Sequence, residues 1–248
     1  MKKIFLVIAN YKDKRQQFFE EKISPINERY CDKHQFEYVV SKGIETKRES
    51  PIWQKFFSVK RLLDNKELSD GDKITVLDAD MVFAKDSEPY ETEKSFSYAI
   101  DNGNTHCMGN YSLTINDWSR RMVDLIIDED RYVRYKHLEI WQRWAEQASW
   151  YYLCGIKEHS WIPFFDLPNY GWHSHENIKP VFSIEELQEN IEIRGPEWNT
   201  TLLEEEADDA VSKMLQQYNI VKSKKEDTIV RHFAGGQPWN PEYTNRTN

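Results

Sequence analysis

The sequence predicts an α/β fold built on a mainly parallel sheet flanked by helices. Three observations carry that expectation. Residues 4–9 (Ile-Phe-Leu-Val-Ile-Ala) form a continuous apolar run of the kind a strand buried on both faces requires. A second such run, residues 73–77, ends directly in Asp78-Ala79-Asp80. Between the two lie segments with helical spacing of apolar residues, and strands alternating with helices at this interval make βαβ units.

The elements follow in order. Residues 4–9 are the first strand. Residues 16–34 place Phe18, Phe19, Ile23, Ile26 and Tyr30 at helical spacing, with an interruption near Pro25. Residues 36–40 read as a strand. Residues 53–63 read as a helix with Trp53, Phe56, Phe57, Lys60 and Leu63 on one face, and Gly71 closes the connection to the strand at 73–77. Further strands are expected at 96–100 and 112–115, and helices at 118–127 and 138–153, the second rich in Trp and Tyr. Pro163, Pro168, Pro180 and Pro196 make residues 155–200 mostly loop with short strands. A helix at 202–218 and a strand at 228–233 complete the chain. The absence of a repeat or long linker makes residues 1–248 one domain, a length that one large domain accommodates.

Composition removes several classes of function. The formal charge of -9 argues against a nucleic-acid binder that relies on a basic face. Met1-Lys2-Lys3 precedes an apolar run too short for a signal peptide, and no stretch approaches the roughly 20 apolar residues of a membrane span. Cys31, Cys107 and Cys154 are odd in number and scattered, as free thiols in a reducing compartment would be. Without an export signal, the sequons at Asn110, Asn199 and Asn245 read as chance. A cytoplasmic location is the expectation.

Two segments carry chemistry. In open α/β sheets ligands bind beyond the carboxyl ends of the strands, which is where Asp78 and Asp80 stand. Two carboxylates so close need a cation to offset their repulsion, and hard oxygen donors suit Mg²⁺ or Mn²⁺; the bland alternative is that they begin a turn. The second segment is Arg231-His232-Phe233-Ala234-Gly235-Gly236-Gln237-Pro238, where a neutral imidazole at a strand end precedes glycines whose backbone admits an anion. Alone it reads equally as a core histidine before a turn. Lesser candidates are His173, His175 and Glu176, a loop lining the acceptor cleft rather than a separate metal site; Asp101-Asn102-Gly103 and Gly109-Asn110, turns first and sugar contacts second; and Trp141, Trp144 and Trp150, core rather than an acceptor platform. Glu204–Glu206 with Asp208 and Asp209 read as a solvated helix face.

Taken in order, Asn10-Tyr11, residues 30–38, Trp53-Gln54-Lys55, Asp78-Ala79-Asp80, Glu146-Gln147 and residues 232–238 resemble a GT-A-fold glycosyltransferase. The likeness is greatest to the galactosyl/xylosyl/mannosyltransferase family (galactomannan galactosyltransferases and xyloglucan xylosyltransferases), and it extends more distantly to glycogenin-like transferases. The resemblance implies the Rossmann-like nucleotide-diphospho-sugar transferase fold, with a nucleotide-binding N-terminal half and an acceptor-binding C-terminal half. It implies a metal-dependent, retaining transfer from a nucleotide sugar, UDP-linked by family weight, to a glycan or other hydroxyl. Asp78, Asp80 and His232 would bind Mn²⁺ or Mg²⁺, and Asp78 with Ala79 would also meet the donor. Asn10 and Tyr11 would lie near the base, Lys55 near the nucleotide, Gly235, Gly236 and Gln237 at the diphosphate, and Glu146 and Gln147 at the transferred sugar. Glu146 on a helix has an ordinary alternative, an exposed residue making surface ion pairs. Gln237 stands where the family carries Lys, a cation that Lys55 or Arg231 would have to replace. The competing functions are a metal-dependent nucleotidyltransferase or phosphotransfer enzyme, which lacks support from a Gly-rich loop after the first strand, and a carbohydrate-binding protein without catalysis, which leaves the aspartates and His232 without a shared purpose.

Overall fold

The computed structural model describes residues 1–11, 14–43, 46–48, 51–85, 88–101, 106–137, 139–155, 180–201 and 224–233, the side chains of 139–144 excepted. Among these, six strands form one sheet: β1 (Lys3–Ile8), β2 (Glu37–Ser41), β3 (Lys73–Asp78), β5 (Phe96–Ile100), β6 (His106–Thr114) and β7 (Ile191–Arg194). They lie in the order β2-β1-β3-β6-β5-β7. The β1–β2, β1–β3 and β5–β7 pairs are parallel, and β6 runs antiparallel to both neighbours, giving the mixed, mostly parallel sheet expected. A separate two-stranded ribbon pairs β4 (Met81–Phe83) with β8 (Val230–His232).

The central strand alternates between two cores. Ile4 and Leu6 face one core with Ile74, Val76, Tyr98, Tyr111 and Trp150, against helices α3 (Gln54–Asp64), α4 (Asp117–Ile126) and α6 (Glu139–Cys154). Phe5 and Val7 face the other with Phe19, Tyr30, Leu77, Met81 and Phe83. Both faces of β1 are dry, which is why its sequence is apolar without alternation.

The expected helix at 16–34 is divided. α1 (Lys14–Phe18) passes through a π-helical turn (Phe19–Ile23) into α2 (Ser24–His34), the break falling just before Pro25. Of the residues expected at helical spacing along α3, Trp53, Phe56 and Leu63 are buried, while Lys60 lies half-exposed between Asp64 and Asp124; Lys55, Val59 and Leu62 are buried with the first three. The buried face therefore carries a lysine. Three other elements depart from expectation. β6 begins at His106, well before the strand expected at 112–115; α5 (Glu129–Tyr135) lies in a highly charged segment; and α7 (Ile184–Asn190) stands inside the stretch expected to be loop. Ser183 accepts from the Glu186 amide at 3.1 Å, so the S-x-x-E cap that starts α7 is visible in the sequence. Gly109-Asn110 is a strand interior, not a turn: Asn110 is buried in β6 and its amide donates to the Trp198 carbonyl. The helix expected at 202–218, the loop with His173, His175 and Glu176, and Asn102-Gly103 lie outside the described residues.

β4 continues the chain out of Asp78-Ala79-Asp80, so what holds β4 also holds the aspartates. One edge of β4 pairs with β8. On the other, Asn27 of α2 acts as a strand would: its Nδ2 donates to the Met81 carbonyl at 3.1 Å and its Oδ1 accepts from the Phe83 amide at 3.3 Å. Tyr30, one turn on, stacks on Phe83 and receives the Tyr90 amide on its hydroxyl. Replacing Asn27 by Leu strands two buried backbone groups, each worth about 1–3 kcal/mol when unsatisfied. Asn27→Leu is expected to lower unfolding free energy by about 2–4 kcal/mol in a urea titration.

Candidate active site

The carboxyl ends of β1 and β3 open onto a cleft of about 660 Å³. Its lining includes Asn10, Tyr11, Arg15, Arg48, Lys55, Asp78, Ala79 and Asp80. The sheet brings these together because Ile8 of β1 is in register with Asp78 of β3, so the residues after both strands emerge side by side. Lys55, on the first turn of α3, rises beneath the same edge.

Lys55 is the electrostatic centre. Its Nζ lies 2.8 Å from Asp78 Oδ1 and 3.1 Å from Glu146 Oε1, and it donates to the Met108 carbonyl at 2.9 Å. The residue is 2% exposed. Burial works against its charge, but Asp78 and then Glu146 more than offset that, and the ammonium is held above its ordinary range. Burial lifts the carboxyls of Asp78 and Glu146 while Lys55 opposes the lift. Glu146 is thus not an exposed helix residue making surface ion pairs. It is 2% exposed and its Oε2 has no partner among the described residues. It is aimed by a kink in α6 at Ala145, whose φ of 47° and ψ of −116° are unusual for a residue with a side chain. Gln147, next in line, accepts from the Met108 amide at 3.2 Å and donates to the Tyr151 hydroxyl at 3.0 Å, which ties α6 to β6. The cleft lining includes Lys55 and Asp78 but neither Glu146 nor Gln147.

The β4–β8 ribbon delivers the histidine. Met81 pairs with His232, and the Phe233 amide donates to the Asp80 carbonyl at 2.9 Å. His232 Nε2 comes within 3.7 Å of Asp80 Oδ1. Burial carries the imidazole down to about 4 and the Asp80 carboxyl up to about 6. At neutral pH the pair is therefore a carboxylate beside a neutral ring, both in the form that ligates a cation.

Among the described residues no three His, Cys, Asp or Glu side chains already stand in a ligating array. The donor set nonetheless fits a divalent cation. His232 Nδ1 faces Asn199 Oδ1 at 2.9 Å, and an amide oxygen there requires the ring proton on Nδ1. Nε2 then presents a lone pair to an ionised oxygen, two acceptors with no proton between them. Asp78 completes the acidic side but is shared with Lys55.

Other expected residues fall as follows. Tyr11 lines the cleft with the Arg15 guanidinium 5.5 Å from its ring centre, and its hydroxyl is pushed up by burial and then by Asp80 and Asp78. Asn10 also lines the cleft. Arg231 is buried and donates to the Thr200 carbonyl, and Lys55 is engaged by two carboxylates, while Gln237, where a Lys was expected, lies outside the described residues. Gly235, Gly236 and Gln237 lie outside the described residues, as do the side chains of Trp141 and Trp144, while Trp150 is core. One contributor was missed: a Cβ on Gly109 of β6 would come 2.8 Å from Asp78 Oδ2 and 2.5 Å from Met81 Cε. Its spacing from Asp78 leaves no local trace.

No protein family matches this sequence, and no curated protein matches it. Solved structures do. A glycosyltransferase involved in glycosylating the major capsid of PBCV-1 superposes with a TM-score of 0.56 at 10% identity, over 100% of this chain and 98% of that one. The fold is GT-A. GlyE of Streptococcus pneumoniae gives a TM-score of 0.49 at 11% identity, over 97% of this chain and 57% of that one. The galactosyltransferase LgtC with donor and acceptor sugar analogs gives 0.46 at 11%, over 100% and 94%. Among the described residues no helix is long and apolar enough to cross a membrane.

Two outcomes follow from this geometry. Lys55→Met leaves Asp78 and Glu146 facing each other without their cation, at a cost of about 3 kcal/mol at pH 7.5, the lower end for a broken buried pair because Asp78 keeps 32% side-chain exposure. Carboxyls raised above their unfolded values stabilise most when protonated, so the deficit against wild type should shrink by pH 5 in parallel urea titrations. Gly109→Ala should cost about 1 kcal/mol in the same assay, since the Met81 methyl and the Asp78 carboxylate must both give way.

Proposed function

We propose that this protein is a metal-dependent glycosyltransferase moving a hexosyl or pentosyl group from a nucleotide-diphosphate sugar, UDP-linked, to a glycan or other hydroxyl acceptor with retention, in the manner of the galactosyl/xylosyl/mannosyltransferases. The observation that carries this reading is the approach of the His232 imidazole to Asp80, a carboxylate that with Asp78 lines a cleft of about 660 Å³ at the carboxyl edge of a GT-A sheet. The PBCV-1 capsid glycosyltransferase, which shares the fold from end to end, supports the choice of class.

The parts divide the work. Asp78, Asp80 and His232 would hold Mn²⁺ or Mg²⁺, which would supply positive charge to a departing diphosphate. Tyr11 and Asn10 border the space for the base, where the Tyr11 ring offers a stacking face. Ala79 puts only a methyl between the two aspartates, leaving room for the donor against the strand end. Lys55 opposes the upward push that burial gives the carboxyls of Asp78 and Glu146. Glu146 then offers a carboxylate for the positive charge that grows on the sugar as its bond to the diphosphate lengthens. Gln147 sets the position of Glu146 by fastening α6 to β6. Gly235, Gly236 and Gln237 would border the diphosphate.

A thermal-shift series with UDP, GDP and Mn²⁺, followed by mass detection of sugar transferred from a panel of nucleotide sugars, tests the proposal. Stabilisation by UDP is expected only with Mn²⁺ present, and Asp80→Asn should abolish it. Since Asp80 binds a proton near pH 6, the Mn²⁺-dependent shift should be full at pH 7.5 and lost by pH 5. Response to glycans alone, with none to any nucleotide, overturns the proposal.

A further inference from the structure

We propose that Asn199 is a positioning residue that sets which nitrogen of His232 faces the aspartates. The inference rests on the reading of Asp78, Asp80 and His232 as a cation site, and its test separates the two.

Asn199 is fully buried, 33 residues from His232 in sequence, and its Oδ1 lies 2.9 Å from the ring's Nδ1. Its placement is built, not incidental. Residues 197–200 run alongside β8 and are fastened to it three times: the Ile229 amide donates to the Glu197 carbonyl at 2.7 Å, the Thr200 amide to Val230 at 2.9 Å, and the His232 amide to Thr200 at 2.9 Å. Those bonds set Thr200 in parallel register with Arg231, which brings Asn199, one residue before Thr200, within reach of His232, one residue after Arg231. Behind it, Trp198 is stacked on Tyr90 and covered by the Arg194 guanidinium, and its carbonyl accepts from the buried amide of Asn110. The side chain therefore hangs from a short segment anchored on both sides.

A neutral imidazole holds one proton, and the partner of one nitrogen decides the state of the other. With the amide oxygen toward the ring, the proton sits on Nδ1 and the Nε2 lone pair points at Asp80. With the amide nitrogen toward the ring, the proton would move to Nε2 and block that lone pair. The observed orientation leaves Asn199 Nδ2 buried without a partner among the described residues. Asn199 thus has the role that carboxylates and carbonyls commonly have behind metal-ligating histidines.

The test uses the whole chain, ¹⁵N-labelled at histidine, at pH 7.5 without metal, with the His232 signals assigned by their loss in His232→Ala. Wild type is expected to carry the proton on Nδ1. Asn199→Leu, with the same branching and number of heavy atoms but without an acceptor, should shift His232 toward the Nε2–H form and weaken Mn²⁺ binding by about 10–100-fold in a calorimetric titration. Asn199→Asp, which keeps the acceptor, should retain both the tautomer and the affinity. An Nε2–H proton in wild type, or an Asn199→Leu protein with tautomer and affinity unchanged, overturns the inference. If wild type binds no Mn²⁺, the functional reading fails while the tautomer still decides this one. Should Asn199→Leu not fold, the wild-type tautomer and Asn199→Ala decide the same question.

Discussion

Everything in the site is arranged around one buried ammonium. Lys55 sits where four elements converge: it grows from α3, touches Asp78 at the end of β3 and Glu146 in α6, and donates to the Met108 carbonyl of β6. Each carboxylate alone would take up a proton rather than stay charged in a dry interior. The lysine between them opposes that uptake in both. The arrangement is costly to assemble and intolerant of losing a member, and it joins the strand-end aspartates to the helix that closes the opposite side. The fold brings the pieces near, and this charge network sets their positions.

Around that centre the structure uses short-range constraints with no redundancy. The kink at Ala145 turns Glu146 inward, the bare Gly109 backbone leaves room for the Asp78 carboxylate, and Asn27 secures β4 so that the aspartate turn has a rigid exit. The β4–β8 ribbon then returns a residue from near the end of the chain to one from its first third. Nothing in this design depends on a large apolar pocket. Its demands are on register, because a shift of one residue in β8 would turn His232 away from Asp80.

Much of this was legible in the sequence, and what was not has identifiable causes. The buried strands announced themselves through unbroken apolar runs, and Asp78-Ala79-Asp80 stood out because it terminates one of them. Lys55 and Glu146 were visible only through the family resemblance, since nothing local says that a lysine on an otherwise apolar helix face will be buried; periodicity placed Lys60 on that face instead. The Gly109-Asn110 pair has turn composition, but a glycine can also mark the place where another group approaches a strand, and here Asp78 does so. Asn27 and Asn199 act through partners 33 or more residues away, so no window of sequence contains both ends of their contacts. α7 is different: its Ser183 cap was present to be read, and the surrounding prolines drew attention away from it.

The way Asn27 finishes β4 also bears on how this molecule can associate with others. An exposed strand edge is an open template for another chain, and a three-residue ribbon beside a ligand cleft would be a hazardous place to have one. By filling both the carbonyl of Met81 and the amide of Phe83, the asparagine closes that template, so strand-to-strand recruitment has only the outer margins at β2 and β7 left among the described sheet. Of the two, β2 stands beside β1 and the residues after it reach the cleft, whereas β7 lies at the opposite end of the order, so a partner strand on β7 would be the one farther from the aspartate turn.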